Sequence, residues 1–103
     1  MKHITFASKS LFVDDEAADT LLEYAALLAQ SGDADTVELN AINADGNQVV
    51  ATLLLDSGSP LMAETTTSSL EPPENDEAVA YMRTEIGRAF SALLPDERQG
   101  SRD

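Results

Sequence analysis

Residues 36–55 restrict the fold more tightly than any other stretch, because they read as two strands folded back on one turn. Thr36-Val37-Glu38-Leu39-Asn40-Ala41 alternates polar and apolar side chains with a period of two, and Ala44-Asp45-Gly46-Asn47 carries turn chemistry. Residues 48–55 follow, rich in Val, Thr and Leu. The pattern predicts a hairpin. Its second strand is apolar on both sides, with Val49, Ala51, Leu53 and Leu55 on one and Val50 and Leu54, interrupted only by Thr52, on the other. A strand of that kind is expected to be covered twice.

The flanking segments fall into place around this hairpin. Residues 3–6 and 10–13 predict two short strands separated by Ser8-Lys9, and residues 61–66 predict a further strand after the turn Asp56-Ser57-Gly58-Ser59-Pro60. Apolar residues at 18, 21, 22, 25, 28 and 29 share one face of a helix over roughly 15–31, which starts on acids that suit its dipole and stops at Gly32. A second helix carries apolar positions 79, 82, 86, 90 and 93, with Asn75 or Asp76 as its cap and its end before Pro95. Gly87 inside that helix predicts a close packing contact or a bend. Pro72-Pro73 keeps residues 67–75 irregular.

The order β-β-α-β-β-β-α predicts an α+β domain over residues 1–95, with residues 96–103 as a disordered tail. Short connections favour antiparallel neighbours, so the expected architecture is a five-stranded antiparallel sheet with both helices on one face. The other face then needs a cover for Val50 and Leu54. A second copy of the chain would supply it, making these two residues a homodimer interface. One helix on each face, or a sheet curled strongly enough to bury both sets, would serve as well.

The 103 residues hold 19 Asp and Glu against 6 Lys and Arg, a net charge of -13. That balance repels phosphate backbones and anionic lipid, so neither nucleic acid nor membrane is an expected partner. Residues 1–79 carry 15 acids and 2 bases, whereas residues 80–103 carry 4 of each. The opening residues lack the apolar core of a signal peptide and no run of apolar residues is long enough to span a bilayer, which points to a cytoplasmic protein. With no Cys there is neither a disulfide framework nor a thiolate nucleophile.

Asp15, Asp19 and Glu23 stand four apart on the first helix, where like charges repel. They read either as a surface for a basic protein partner or as a solvated acidic face. Asp33-Ala34-Asp35 begins like a calcium loop, but Val37 and Glu38 occupy positions that need a ligand and a glycine, so no metal site is expected. His3 is the single histidine and no Gly-x-Ser-x-Gly elbow accompanies it. A strand-edge histidine facing solvent is the expectation, and no catalytic residue is assigned. No glycine-rich phosphate loop exists and no cofactor is implied. Thr65-Thr66-Thr67-Ser68-Ser69 forms a row of hydroxyls that a polar ligand could use, so Glu64, Thr65 and Thr66 are the candidate pocket residues, placed beside the last helix.

Three segments, Ile4-Thr5-Phe6, Asp15-Glu16-Ala17-Ala18-Asp19-Thr20-Leu21-Leu22-Glu23-Tyr24-Ala25 and Ala34-Asp35-Thr36-Val37-Glu38-Leu39, resemble small uncharacterised bacterial proteins of similar length. The resemblance covers roughly the first 40 residues and implies no activity. The element order is similar to the core of the roadblock and longin domains, which implies a five-stranded antiparallel sheet and a tendency to dimerise. The sequence as a whole points first to a non-enzymatic interaction module that self-associates, or to an antitoxin- or immunity-like neutraliser of a basic protein. The second expectation is a small-molecule-binding domain or enzyme built around Glu64, Thr65 and Thr66.

Overall fold

The computed structural model describes residues 1–93, so the expected tail at 96–103 lies outside the described residues. Strands β1 (Lys2–Phe6) and β2 (Lys9–Val13) precede helix α1 (Asp15–Ser31), strands β3 (Asp35–Asn43), β4 (Gln48–Leu55) and β5 (Leu61–Thr65), and helix α2 (Asp76–Leu93). The order matches the sequence reading, and the class is α+β.

Local chemistry sets the boundaries. The Asp14 carboxylate accepts from the Ala17 N–H at 3.0 Å and caps α1, while Gly32, at φ 69°, ends the helix in the left-handed region. At the tip of the β3–β4 hairpin, Gly46 donates to the Asn43 carbonyl and takes φ 86°, and Asn43 N–H then bonds Asn47 O. This is a three-residue loop ending in a glycine bulge. The β1–β2 turn is tighter and places Ala7 at φ 55°, where a Cβ is unfavourable.

All five strands pair antiparallel in the order β4-β3-β2-β1-β5. The short connection 56–60 therefore does not make β4 and β5 neighbours; β5 pairs instead with β1 at the far edge. In a flat sheet the ends it joins would lie about 19 Å apart across four strand spacings, and at opposite ends of their strands. The six Cα–Cα steps from Leu55 to Leu61 reach about 20 Å only when fully extended, and residues 56–60 instead fold into a turn, with Ser59 N–H donating to Asp56 O at 3.3 Å. The sheet has to coil for the chain to connect.

Both helices occupy one face of this coiled sheet, packed on each other, with α1 against β1 and β5 and α2 against β3. Ile4, Val13, Leu21, Leu39, Leu55 and Met82 are fully buried between the layers. Cross-strand pairing puts Ile4, Leu11, Ala63, Ala41, Leu39 and Val37 on this face, together with Val49, Ala51, Leu53 and Leu55. The opposite face carries His3, Phe12, Ile42, Asn40, Glu64 and Met62, together with Val50, Thr52 and Leu54. No helix lies over it among the described residues, and coiling does not bury its β4 side chains.

Beta2 and β3 pair only through Leu11↔Asn43 and Phe12↔Ile42 and then diverge. Asn75 stands in the fork. Its Oδ1 accepts from Asn40 N–H at 2.7 Å, and its Nδ2 donates to Asn40 O at 2.8 Å and to Asp14 Oδ1 at 3.0 Å. One side-chain amide thus replaces the missing strand along β3 and ties it to the cap of α1. The Asn75 carbonyl accepts from Val79 N–H and begins α2, so the expected capping position is right, but its side chain serves the sheet.

Of the two alternatives for Gly87, the close packing contact is ruled out. A methyl group built at this position meets nothing within 4 Å, so no close contact there requires glycine.

Candidate functional site: the open face of the sheet

Beta4 alternates along its length. Leu53 and Leu55 are buried, whereas Val50 is 63% and Leu54 54% exposed on the open face. The sequence reading that this strand is apolar on both sides holds, and its outer side is uncovered among the described residues of one copy. Met62 of β5 is also exposed on the same face.

Between these edges lies a polar-aromatic group. His3 Nδ1 is 2.8 Å from Glu64 Oε1, and the His3 ring sits 4.8 Å from that of Phe12, tilted by 31°. These side chains come from three adjacent strands, at His3↔Phe12 and His3↔Glu64 in the register. His3 is therefore on an interior strand with two neighbours and two side-chain contacts, which corrects its reading as an edge residue facing solvent. Phe12 was not singled out in the sequence, since only the pairing of β1 and β2 brings it to His3.

Glu64, Thr65 and Thr66 do come together, lining with His3, Phe12 and Thr67 a depression of about 620 Å³. No residue of α2 lines it. The depression lies on the sheet face away from the helices, which differs from the expected place beside the last helix. A second depression of about 590 Å³ on this face is lined by Asn40, Gln48, Val49, Val50, Pro73 and Glu74. The irregular segment before α2 reaches the same face, with Asn40 Nδ2 donating to Glu74 O at 2.9 Å.

The acids of α1 lie elsewhere. Asp15 pairs with the Met1 amino group at 3.2 Å, and Asp19 with Lys2 Nζ at 2.5 Å. That contact, with the nearby Asp15, holds the Lys2 ammonium above its ordinary pKa against a smaller opposing effect of burial. Glu16 meets Arg83 of α2 at 3.1 Å. Glu23 lines an apolar groove between the helices with Ala26, Leu27, Gln30, Ile86 and Phe90. Asp15 and Asp19 are thus engaged by cations of the same chain, and Asp15, Asp19 and Glu23 do not converge on a single pocket.

A further cluster escaped the sequence reading. The hydroxyls of Tyr24 and Tyr81 both donate to Asp35 Oδ2, joining α1, α2 and the start of β3, and the two rings meet edge to face at 6.3 Å. Burial pushes the Tyr24 pKa up, and its bond to Asp35 adds to this; the Tyr81 pKa is also raised, with the Asp35 bond as the larger cause. Burial works to raise the Asp35 pKa, but hydrogen bonds from Tyr24, Tyr81 and Thr36 N–H outweigh it and hold the carboxyl below its usual value. The chain has only two tyrosines, one in each helix, and nothing local in the sequence ties them to one carboxylate.

Comparison with family models, curated proteins and solved structures gives no match, so the geometry alone carries the functional reading. No group of three or more His, Asp or Glu side chains among the described residues is arranged to hold a metal ion. No described helix is long and apolar enough to cross a membrane.

Proposed function

We propose that this chain is a non-enzymatic protein-interaction module of the cytoplasm that self-associates through Val50 and Leu54 of β4. The exposure of Val50 and Leu54 carries the reading. These are large apolar side chains on a strand whose other face is core, in a chain with a net charge of -13. Burying them removes apolar surface from water at about 25 cal/mol per Å². Two copies that each carry this charge repel one another, and salt screens the repulsion.

Light scattering over a concentration series at low and high salt tests the proposal. A rise in mass with concentration that is stronger at high salt is expected, and its loss in a Val50→Lys, Leu54→Lys double variant. A monomer at every concentration and salt overturns it. Capture of a basic protein through Asp15, Asp19 and Glu23 gives the opposite salt dependence, binding weakening as salt rises.

A further inference from the structure

The geometry points to one mode for this self-association: β4 pairs with β4 of a second copy, antiparallel across a twofold axis through Thr52, joining two sheets into one of ten strands. This rests on the proposed self-associating role and specifies its partner and register.

The backbone supplies the first argument. Asn40 turns both its N–H and its C=O away from β4, toward Asn75. Val50 stands directly opposite Asn40, and opposed residues in an antiparallel pair exchange both hydrogen bonds or neither. Val50 therefore points its own N–H and C=O outward, and with a period of two so do Thr52 and Leu54. Beta4 is a terminal strand of the sheet, so among the described residues these groups form its free edge. Ser59 Oγ donates to Leu54 O at 3.2 Å, which leaves that carbonyl a second lone pair.

The second argument is what the edge lacks. Exposed edges are ordinarily protected by a charge, a proline or a bulge. Residues 48–55 contain no charged residue and no proline in a chain with 19 acids, and β4 pairs with β3 without interruption over all eight residues.

The third is symmetry. A twofold axis normal to the sheet keeps side chains on their own face, so each residue must pair with one of the same parity. With Thr52 opposite itself, Val50 of each copy falls opposite Leu54 of the other on the open face. Those three positions are among the ones with outward backbone groups, so the register satisfies hydrogen bonds and apolar contacts together. Moving the axis to Ala51 would set Val50 against Thr52 and Gln48 against Leu54, mixing polar with apolar. A basic peptide would find no acid on this strand, whereas a second copy finds its own complement.

Charge exchange at residue 52 tests the register. Thr52 is exposed, so Thr52→Lys and Thr52→Glu leave the monomer folded, which circular dichroism checks. Each variant alone is expected to lose dimer at least tenfold, because like charges meet across the axis, and an equal mixture is expected to restore it as a heterodimer. The same pair of substitutions at Met62, on the far edge strand of the same face, is expected to leave the wild-type equilibrium unchanged. A wild-type dimer that tolerates Thr52→Lys, or a mixture that fails to recover, overturns the edge pairing while the self-associating role stands. A wild-type monomer throughout overturns both.

Discussion

Asn75 hydrogen-bonds both main-chain groups of Asn40 with a single side-chain amide, although the two residues lie 35 positions apart. The pair closes the gap left where β2 ends, and Asn75 is only 5% exposed. Asn75→Ala strands the part-buried Asn40 N–H and carbonyl and one Asp14 oxygen, each costing about 1 kcal/mol, so the total loss should be about 2–4 kcal/mol. Chemical denaturation measures it. Asn75→Asp keeps the shape but sets a carboxylate against Asp14, and its deficit should shrink as pH falls toward about 4 and the new group protonates.

The Tyr24–Asp35–Tyr81 cluster gives stability a dependence at both ends of the pH scale. Asp35 titrates below its unfolded value, so its contribution is present above about pH 4 and is lost as pH falls through the lowered folded value. The two tyrosines titrate above theirs, so their contribution is complete below about pH 10 and is lost progressively as pH rises beyond it. Tyr24→Phe should flatten the alkaline loss and cost about 1–2 kcal/mol at neutral pH, a hydrogen bond to a charged group. Thermal denaturation across pH, with phenolate absorbance as the second signal, checks both.

Two single substitutions should stabilise the protein. Ala7→Gly relieves a left-handed alanine in the β1–β2 turn, by about 0.5–1 kcal/mol after the added freedom of the unfolded chain is subtracted. Gly87→Ala places a methyl group in open space inside α2 and should gain about 1 kcal/mol. Denaturant midpoints should rise for each, and the two gains should add, since one site lies in the β1–β2 turn and the other in α2.

Asp15→Asn, Asp19→Asn and Glu23→Gln combined should barely move the denaturation midpoint. The carboxylates of the first two acids are solvent-exposed, so their ion pairs contribute little, and the loss is offset by less repulsion along α1. Self-association should grow slightly, because each copy sheds three negative charges, and light scattering reads that effect.

Elements governed by neighbouring residues were legible in the sequence. The stripe 18–29 fixed α1, Gly32 its end, and the Gly46 turn the β3–β4 hairpin with its two-sided apolar strand. Long-range pairing was not legible. Nothing near residues 61–65 tells that they join β1 rather than the strand just before them, and that choice decides which residues meet His3. Asp19 shows the same limit: helix physics gave no reason for it, and the reason is Lys2, from another element. Asn75 carried a correct local signal as a helix start, while its larger role depends on a fork between strands far away in the chain.

That fork also orders assembly during synthesis. The β1–β2 and β3–β4 hairpins can each close as soon as they leave the ribosome, because their contacts are local. The slot between them stays empty until residue 75 emerges to bond Asp14, 61 positions earlier. Until then a nascent chain presents the bare N-terminal part of β3 to whatever surrounds it. The time spent waiting for the last helix is when this protein is most open to mispairing and to chaperones that hold extended segments.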